Sequence, residues 1–124
     1  MRIRANRKNL KTHAKSLFGQ NYTPEGEKEL IRLCLAPLER TPGSHVSHDR
    51  ADRLELIDKL LGNCGVEGML LDGAGNDVSG ECSMRNVAAD IQYSNTGDTY
   101  ALTIMYVNGV LCIGDWESVV EDLG

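Results

Sequence analysis

Aromatic residues are scarce in this chain: one Phe, one Trp and four Tyr among 124 residues. A core with so few rings must be filled mainly by aliphatic side chains. Long apolar runs are missing as well. No segment approaches the roughly 18 residues that cross a bilayer. Residues 1–20 lack the continuous apolar stretch of a secretory signal. They are rich in Arg and Lys and free of acids, which also describes an organelle transit peptide, but an ordinary helix is the preferred reading. The expectation is a cytoplasmic protein whose four cysteines, Cys34, Cys64, Cys82 and Cys112, stay reduced. Cys34 and Cys112 lie in apolar runs and read as small core residues, whereas Cys64 and Cys82 sit in loop-like sequence.

Signatures of chemistry are missing too. There is no Cys-x-x-Cys and no zinc-type pairing of cysteines. There is no Gly-x-Ser-x-Gly elbow and no phosphate-binding glycine loop, since Gly62, Gly65 and Gly68 have the wrong spacing. His45 and His48 stand three apart, but no further ligand accompanies them. Residues 71–80, LDGAGNDVSG, resemble one copy of the calcium-binding β-roll repeat through Gly73, Gly75 and Asp77. In that family adjacent turns share each ion, so one copy lacks half its ligands and reads as an acidic surface loop. No cofactor, metal or catalytic residue is expected.

What is present is a division of charge. Residues 1–20 carry +6, residues 21–64 carry −2 and residues 65–124 carry −9, for a net −5. The basic head holds Arg2, Arg4, Arg7, Lys8, Lys11 and Lys15. These six are the candidate nucleic-acid contacts. Docking of this head on the acidic half, within one chain or across a dimer, is the simpler alternative.

Periodicity divides the chain at residue 64. Leu10, Ala14 and Leu17, extended back to Ile3, predict a helix over 5–18 that Gly19 ends. Thr23-Pro24 predicts the start of a second helix with Leu30, Ile31, Cys34 and Leu35 turned inward, ending before Pro37. A third begins near Ser47 with a stripe of Ala51, Leu54, Ile57 and Leu61, closed by Gly62 or Gly65. Beyond residue 65 the pattern alternates. Ile91 and Tyr93, then Leu102, Ile104 and Tyr106, predict strands, and Asn108-Gly109 predicts a tight hairpin into a return strand over 110–113. A helix over 115–123 is expected to follow. The expected fold is a single α+β domain over 1–124, with three helices over 1–64 and a three-stranded antiparallel meander with a C-terminal helix over 65–124. One edge of such a sheet can pair across a homodimer.

Between the first two predicted strands lies YSNTGDTY, residues 93–100. Ser94 to Thr99 read as a turn in which Asn95 and Asp98 bond back to the backbone. A cluster of Asn95, Asp98 and Thr99 is also the place an enzyme site would occupy. Asp115, Trp116 and Glu117 form the other feature of interest, a lone Trp between acids that suits either core packing or an interface anchor.

The run Tyr93-x-Asn95-Thr96-Gly97-Asp98-Thr99-Tyr100-x-x-Thr103, followed by the hairpin and Asp115-Trp116, resembles a motif of small bacterial, phage and plasmid-borne proteins. In size and charge the chain is similar to anti-CRISPR proteins. With the −9 segment and the absent catalytic signatures, the expectation is a small acidic non-enzymatic protein of a bacterial or mobile-element genome that binds another protein, with a host nucleic-acid-handling complex as one partner to test. Asp72, Asp77, Asp98, Asp115, Trp116 and Glu117 are the candidate protein-binding residues.

Overall fold

The computed structural model describes residues 2–39, 42–43, 45–81, 91–95 and 102–115. Each helix starts and stops on recognisable local chemistry. Asn6 caps α1 (Arg7–Phe18), its Oδ1 accepting from the Asn9 amide at 2.8 Å, and Gly19 ends the helix at φ 59°. Thr23 caps α2 (Pro24–Leu35) through a 3.0 Å bond from the Gly26 amide, and Glu25 and Glu27 lie in the first turn, where the helix dipole favours acids. α3 (Val46–Asn63) closes in a Schellman motif. Gly65 takes φ 84°, the Val66 amide donates to the Leu61 carbonyl at 2.9 Å, and the Gly65 amide donates to that of Gly62 at 3.0 Å.

The sheet corrects the three-stranded expectation. It has five antiparallel strands, β1 (Arg2–Arg4), β2 (Gly68–Leu71), β3 (Gln92–Asn95), β4 (Leu102–Val107) and β5 (Val110–Asp115), in the order β1-β5-β4-β3-β2. β1 was hidden because Ile3 falls in phase with the apolar stripe of the helix that follows. Its partner is Ile113 of β5, far along the chain. β2 is a short apolar run without alternation, and such a run carries no period of its own. The expected C-terminal helix began at Asp115, but β5 runs through Asp115, which pairs with Leu102. Residues 116–123 lie outside the described residues. The Asn108-Gly109 hairpin forms as expected, with φ 51° and 82°.

YSNTGDTY divides differently from the expected turn. Ser94 and Asn95 are strand residues, paired with Thr103 and Gly68. Residues 96–100 lie outside the described residues.

Register separates the two sheet faces. Tyr93, Leu70, Ile104, Leu102, Leu111 and Ile113 share one face and join Leu10, Leu17, Phe18, Leu30, Leu54, Ile57 and Leu61 in a single core. α3 packs on β2, β3 and β4, with α2 beside it and α1 beside α2. The opposite face carries Gln92, Ser94, Thr103, Met105 and Cys112, and these are buried too. Alternation of β3 and β4 therefore marks a change of face and not a change from core to solvent. The two sheet edges differ. At β2 the Val78 amide donates to the Leu70 carbonyl and the Leu70 amide donates to Ser79 Oγ, both at 2.9 Å, so the chain's own loop closes that edge. β1 is three residues long with an Arg at each end, a short charged edge that discourages strand addition.

Candidate functional site

The predicted acidic contacts do not gather into one surface among the described residues. Asp72 closes its own loop. Its Oδ1 accepts from the amides of Ala74 and Asn76 at 2.9 Å each, and its Oδ2 from the Asn76 side chain at 3.2 Å. These bonds, led by the Asn76 amide, hold its carboxyl below the usual carboxylate range. Asp77 accepts from the Ser79 amide at 2.9 Å and is lowered for the same reason. The β-roll-like loop is thus a pair of Asx turns. Asp115 lies at the end of β5. Asp98, Trp116 and Glu117 lie outside the described residues. Among the described residues no three His, Cys, Asp or Glu side chains are placed to hold a metal ion, and the rings of His45 and His48 pack edge to face at 5.3 Å.

Asn95 has a structural task. Its Nδ2 donates to the Leu17 carbonyl at 2.9 Å, occupying one of the last carbonyls of α1. It is buried there. Asp98 and Thr99, the other members of the proposed enzymatic cluster, lie outside the described residues.

The basic head is split by the fold. Arg2 and Arg4 stand on β1, and Lys15 lies over the Tyr22 ring at 5.7 Å. Lys8 is exposed elsewhere on α1. Arg7 and Lys11, one turn apart, line a cleft of about 470 Å³ between α1 and α2. Lys28 and Arg32, one turn apart on α2, line it as well, with Glu27, Glu29 and Ile31. Arg32 is engaged bidentately by Glu29 at 3.1 and 2.8 Å, and Glu27 accepts from the Tyr22 hydroxyl at 3.2 Å. Arg7, Lys11 and Lys28 have no ion-pair partner among the described residues. Lys28 and Arg32 escaped the sequence reading because only helix packing brings them beside α1.

A second concavity, about 490 Å³, lies between the end of α2 and α3. Leu33, Ala36, Pro37, Leu38 and Leu56 supply its apolar surface, and Glu39, Asp49 and Asp52 its acids. Arg53, only 7% exposed, anchors it. Its guanidinium donates to the carbonyls of Cys34 (3.1 Å), Ala36 (2.6 Å) and Pro37 (3.1 Å), satisfying the C-terminal end of α2 and the chain beyond it. Leu56 is 49% exposed in this lining, and Leu35 (42%) and Val46 (39%) are exposed at the end of α2 and the start of α3, outside it. The inward assignment of Leu35 is thereby corrected: Leu30, Ile31 and Cys34 fill the buried face of α2 and leave it outside. Leu56 was legible in the sequence as a leucine off the stripe of α3.

Two buried groups complete the inventory. The Tyr93 hydroxyl has no hydrogen-bond partner among the described residues; burial, followed by the charge of Asp58, pushes its ionisation up. Asp58 is itself raised, first by burial and then by Glu55 and Asp77. The Cys34 thiol is pushed up to about 12 by burial, partly opposed by Arg53.

No family model matches the chain, and neither a curated protein nor a solved structure matches it. Among the described residues no helix is long and apolar enough to cross a membrane.

Proposed function

We propose that this chain is a non-enzymatic binding protein that receives a basic, amphipathic segment of a protein partner in the groove between α2 and α3. One observation carries the reading. Leu56, a large apolar side chain 49% exposed, lines this groove together with the apolar Leu33, Ala36, Pro37 and Leu38. Grouped exposed apolar residues mark interaction surfaces, and scattered ones do not. Glu39, exposed at the groove, favours a cation on the incoming segment. A net charge of −5 adds long-range attraction for such a partner. Helix-in-groove recognition has this form, with apolar anchors in the groove and charge at its rim.

The finer reading, an anti-defence protein of a phage or plasmid acting on a host nucleic-acid-handling complex, rests on the run over residues 93–103 and on the acidic charge. A basic surface on such a complex is the type of target the groove suits.

The test couples capture from host cells to reconstitution. Partners recovered by crosslinking and mass spectrometry are purified and titrated calorimetrically against the parent chain and a Leu35→Asp/Leu56→Asp variant. Affinity at least tenfold weaker is expected for the variant, with unchanged circular dichroism. Equal affinity of both proteins for every reconstituted partner removes the groove from the account.

A further inference from the structure

We propose that the cleft between α1 and α2 is a second, independent binding site, and that it takes the phosphodiester backbone of a single-stranded nucleic acid without reading its bases. Two pairs of like charges carry the inference. Arg7 and Lys11 stand four residues apart on α1, and Lys28 and Arg32 stand four residues apart on α2. Like charges at that spacing repel and destabilise their helix by a few tenths of a kcal/mol. Both pairs nevertheless line the same concavity. Glu29 neutralises Arg32, while Glu27 accepts from the neutral Tyr22 hydroxyl and keeps its charge, so the described lining sets four cations against two acids. Arg7, Lys11 and Lys28 are left as three cations around one cleft with no ion-pair partner among the described residues. A bound polyanion relieves the repulsion between Arg7 and Lys11 on α1 and adds a partner for Lys28.

The lining also sets the class of ligand. Ile31 is its one apolar member among the described residues and is buried. Among the described residues no aromatic ring lines the cleft, so they supply no base-stacking platform there. The apolar residues of α1, Leu10, Ala14, Leu17 and Phe18, are committed to the core, so the helix has no apolar face to insert into a lipid surface. What remains is a set of point charges in a concave seat, suited to successive phosphates and indifferent to sequence. The acidic remainder of the chain does not forbid this. At physiological ionic strength charges more than about 8 Å apart are largely screened, so local charge dominates once contact is made.

The experiment measures fluorescence anisotropy of a labelled 20-nucleotide single-stranded DNA with the full chain. Three phosphate contacts predict affinity about 20-fold weaker in 200 mM than in 50 mM salt. The Arg7→Ala/Lys11→Ala/Lys28→Ala variant is expected to lose at least tenfold at 50 mM salt. The Lys8→Ala/Lys15→Ala/Lys59→Ala variant, which removes the same charge elsewhere, should lose less than threefold. Absence of binding by the parent at 50 mM salt overturns the proposal, as does equal loss in the two variants. Binding to vesicles containing phosphatidylglycerol but not to the oligonucleotide overturns it in favour of a membrane. Because Leu35 and Leu56 do not line this cleft, the Leu35→Asp/Leu56→Asp variant should bind the oligonucleotide like the parent, which keeps the two sites distinguishable.

Discussion

Tyr93 and Gly68 meet across β3 and β2 as diagonal neighbours, on the face that packs against α3. A Cβ at Gly68 would overlap both the hydroxyl and the ring edge of Tyr93. The glycine is needed for this close approach and not for a turn, since no left-handed backbone is required at that position. Gly68→Ala is expected to destabilise by roughly 1–3 kcal/mol through overpacking, read as a lower urea midpoint. Tyr93→Phe removes a hydroxyl without a hydrogen-bond partner among the described residues, so its midpoint should stay close to the parent's. Because the ring carbons also crowd the new methyl, Tyr93→Phe should not restore the stability of Gly68→Ala. Full restoration by that second change would place the conflict at the hydroxyl alone.

At the scale of elements, the end of α2 depends on one side chain from α3. Thr23 secures its start from within the same helix neighbourhood, but its last carbonyls are satisfied by Arg53, nineteen residues beyond Cys34. The planar guanidinium reaches three carbonyls at once, which an ammonium cannot match in geometry. Arg53→Met is expected to cost roughly 2–4 kcal/mol, because it deletes charge-assisted bonds and strands buried acceptors. Arg53→Lys should recover only part of that loss. Amide exchange resolves the mechanism: the last turn of α2 should lose protection in Arg53→Met before the core of α3 does. Uniform loss through both helices would show Arg53 to act through global stability alone.

For the whole molecule, burial ranks the thiols. Cys34 and Cys112 are buried, and Cys64 is partly buried at the end of α3. Burial raises the Cys34 ionisation to about 12, above the ordinary thiol value of 9.0. The neutral thiol favours the folded state fully below the unfolded value, and that contribution is lost as pH rises from about 9 towards 12. At pH 8 a thiol reagent should therefore modify Cys64 before Cys34 and Cys112, with Cys34 following only as the molecule unfolds. Mass spectrometry of the labelled peptides gives the order. Rapid labelling of Cys34 in the native protein would mean that α2 opens locally without unfolding. The two proposed surfaces meet on α2, which lends Leu33 to the apolar groove, Lys28 to the basic cleft and Arg32 to both.

Local chemistry determined the helices, the hairpin and the division of charge. Thr23-Pro24, Gly19, Gly65 and Asn108-Gly109 act within a few residues of themselves, so their effect is visible in sequence order. Leu56 could be singled out there too, as an apolar residue off its helix's stripe. The sequence was silent wherever a partner was distant. Ile3 became a strand residue only by pairing with Ile113, and Asp115 extended β5 only by pairing with Leu102. Asn95 left its predicted turn because α1 presented a carbonyl to it. Gln92 and Thr103, polar and in the phase expected to face solvent, were buried because both faces of the sheet are buried. The cleft of Arg7, Lys11 and Lys28 required packing of α1 on α2, and the floor of the apolar groove required Arg53 to hold the end of α2. Backbone preference and side-chain period are encoded over a turn or a strand, whereas partners in pairing, burial and charge are assigned only when distant segments occupy the same space.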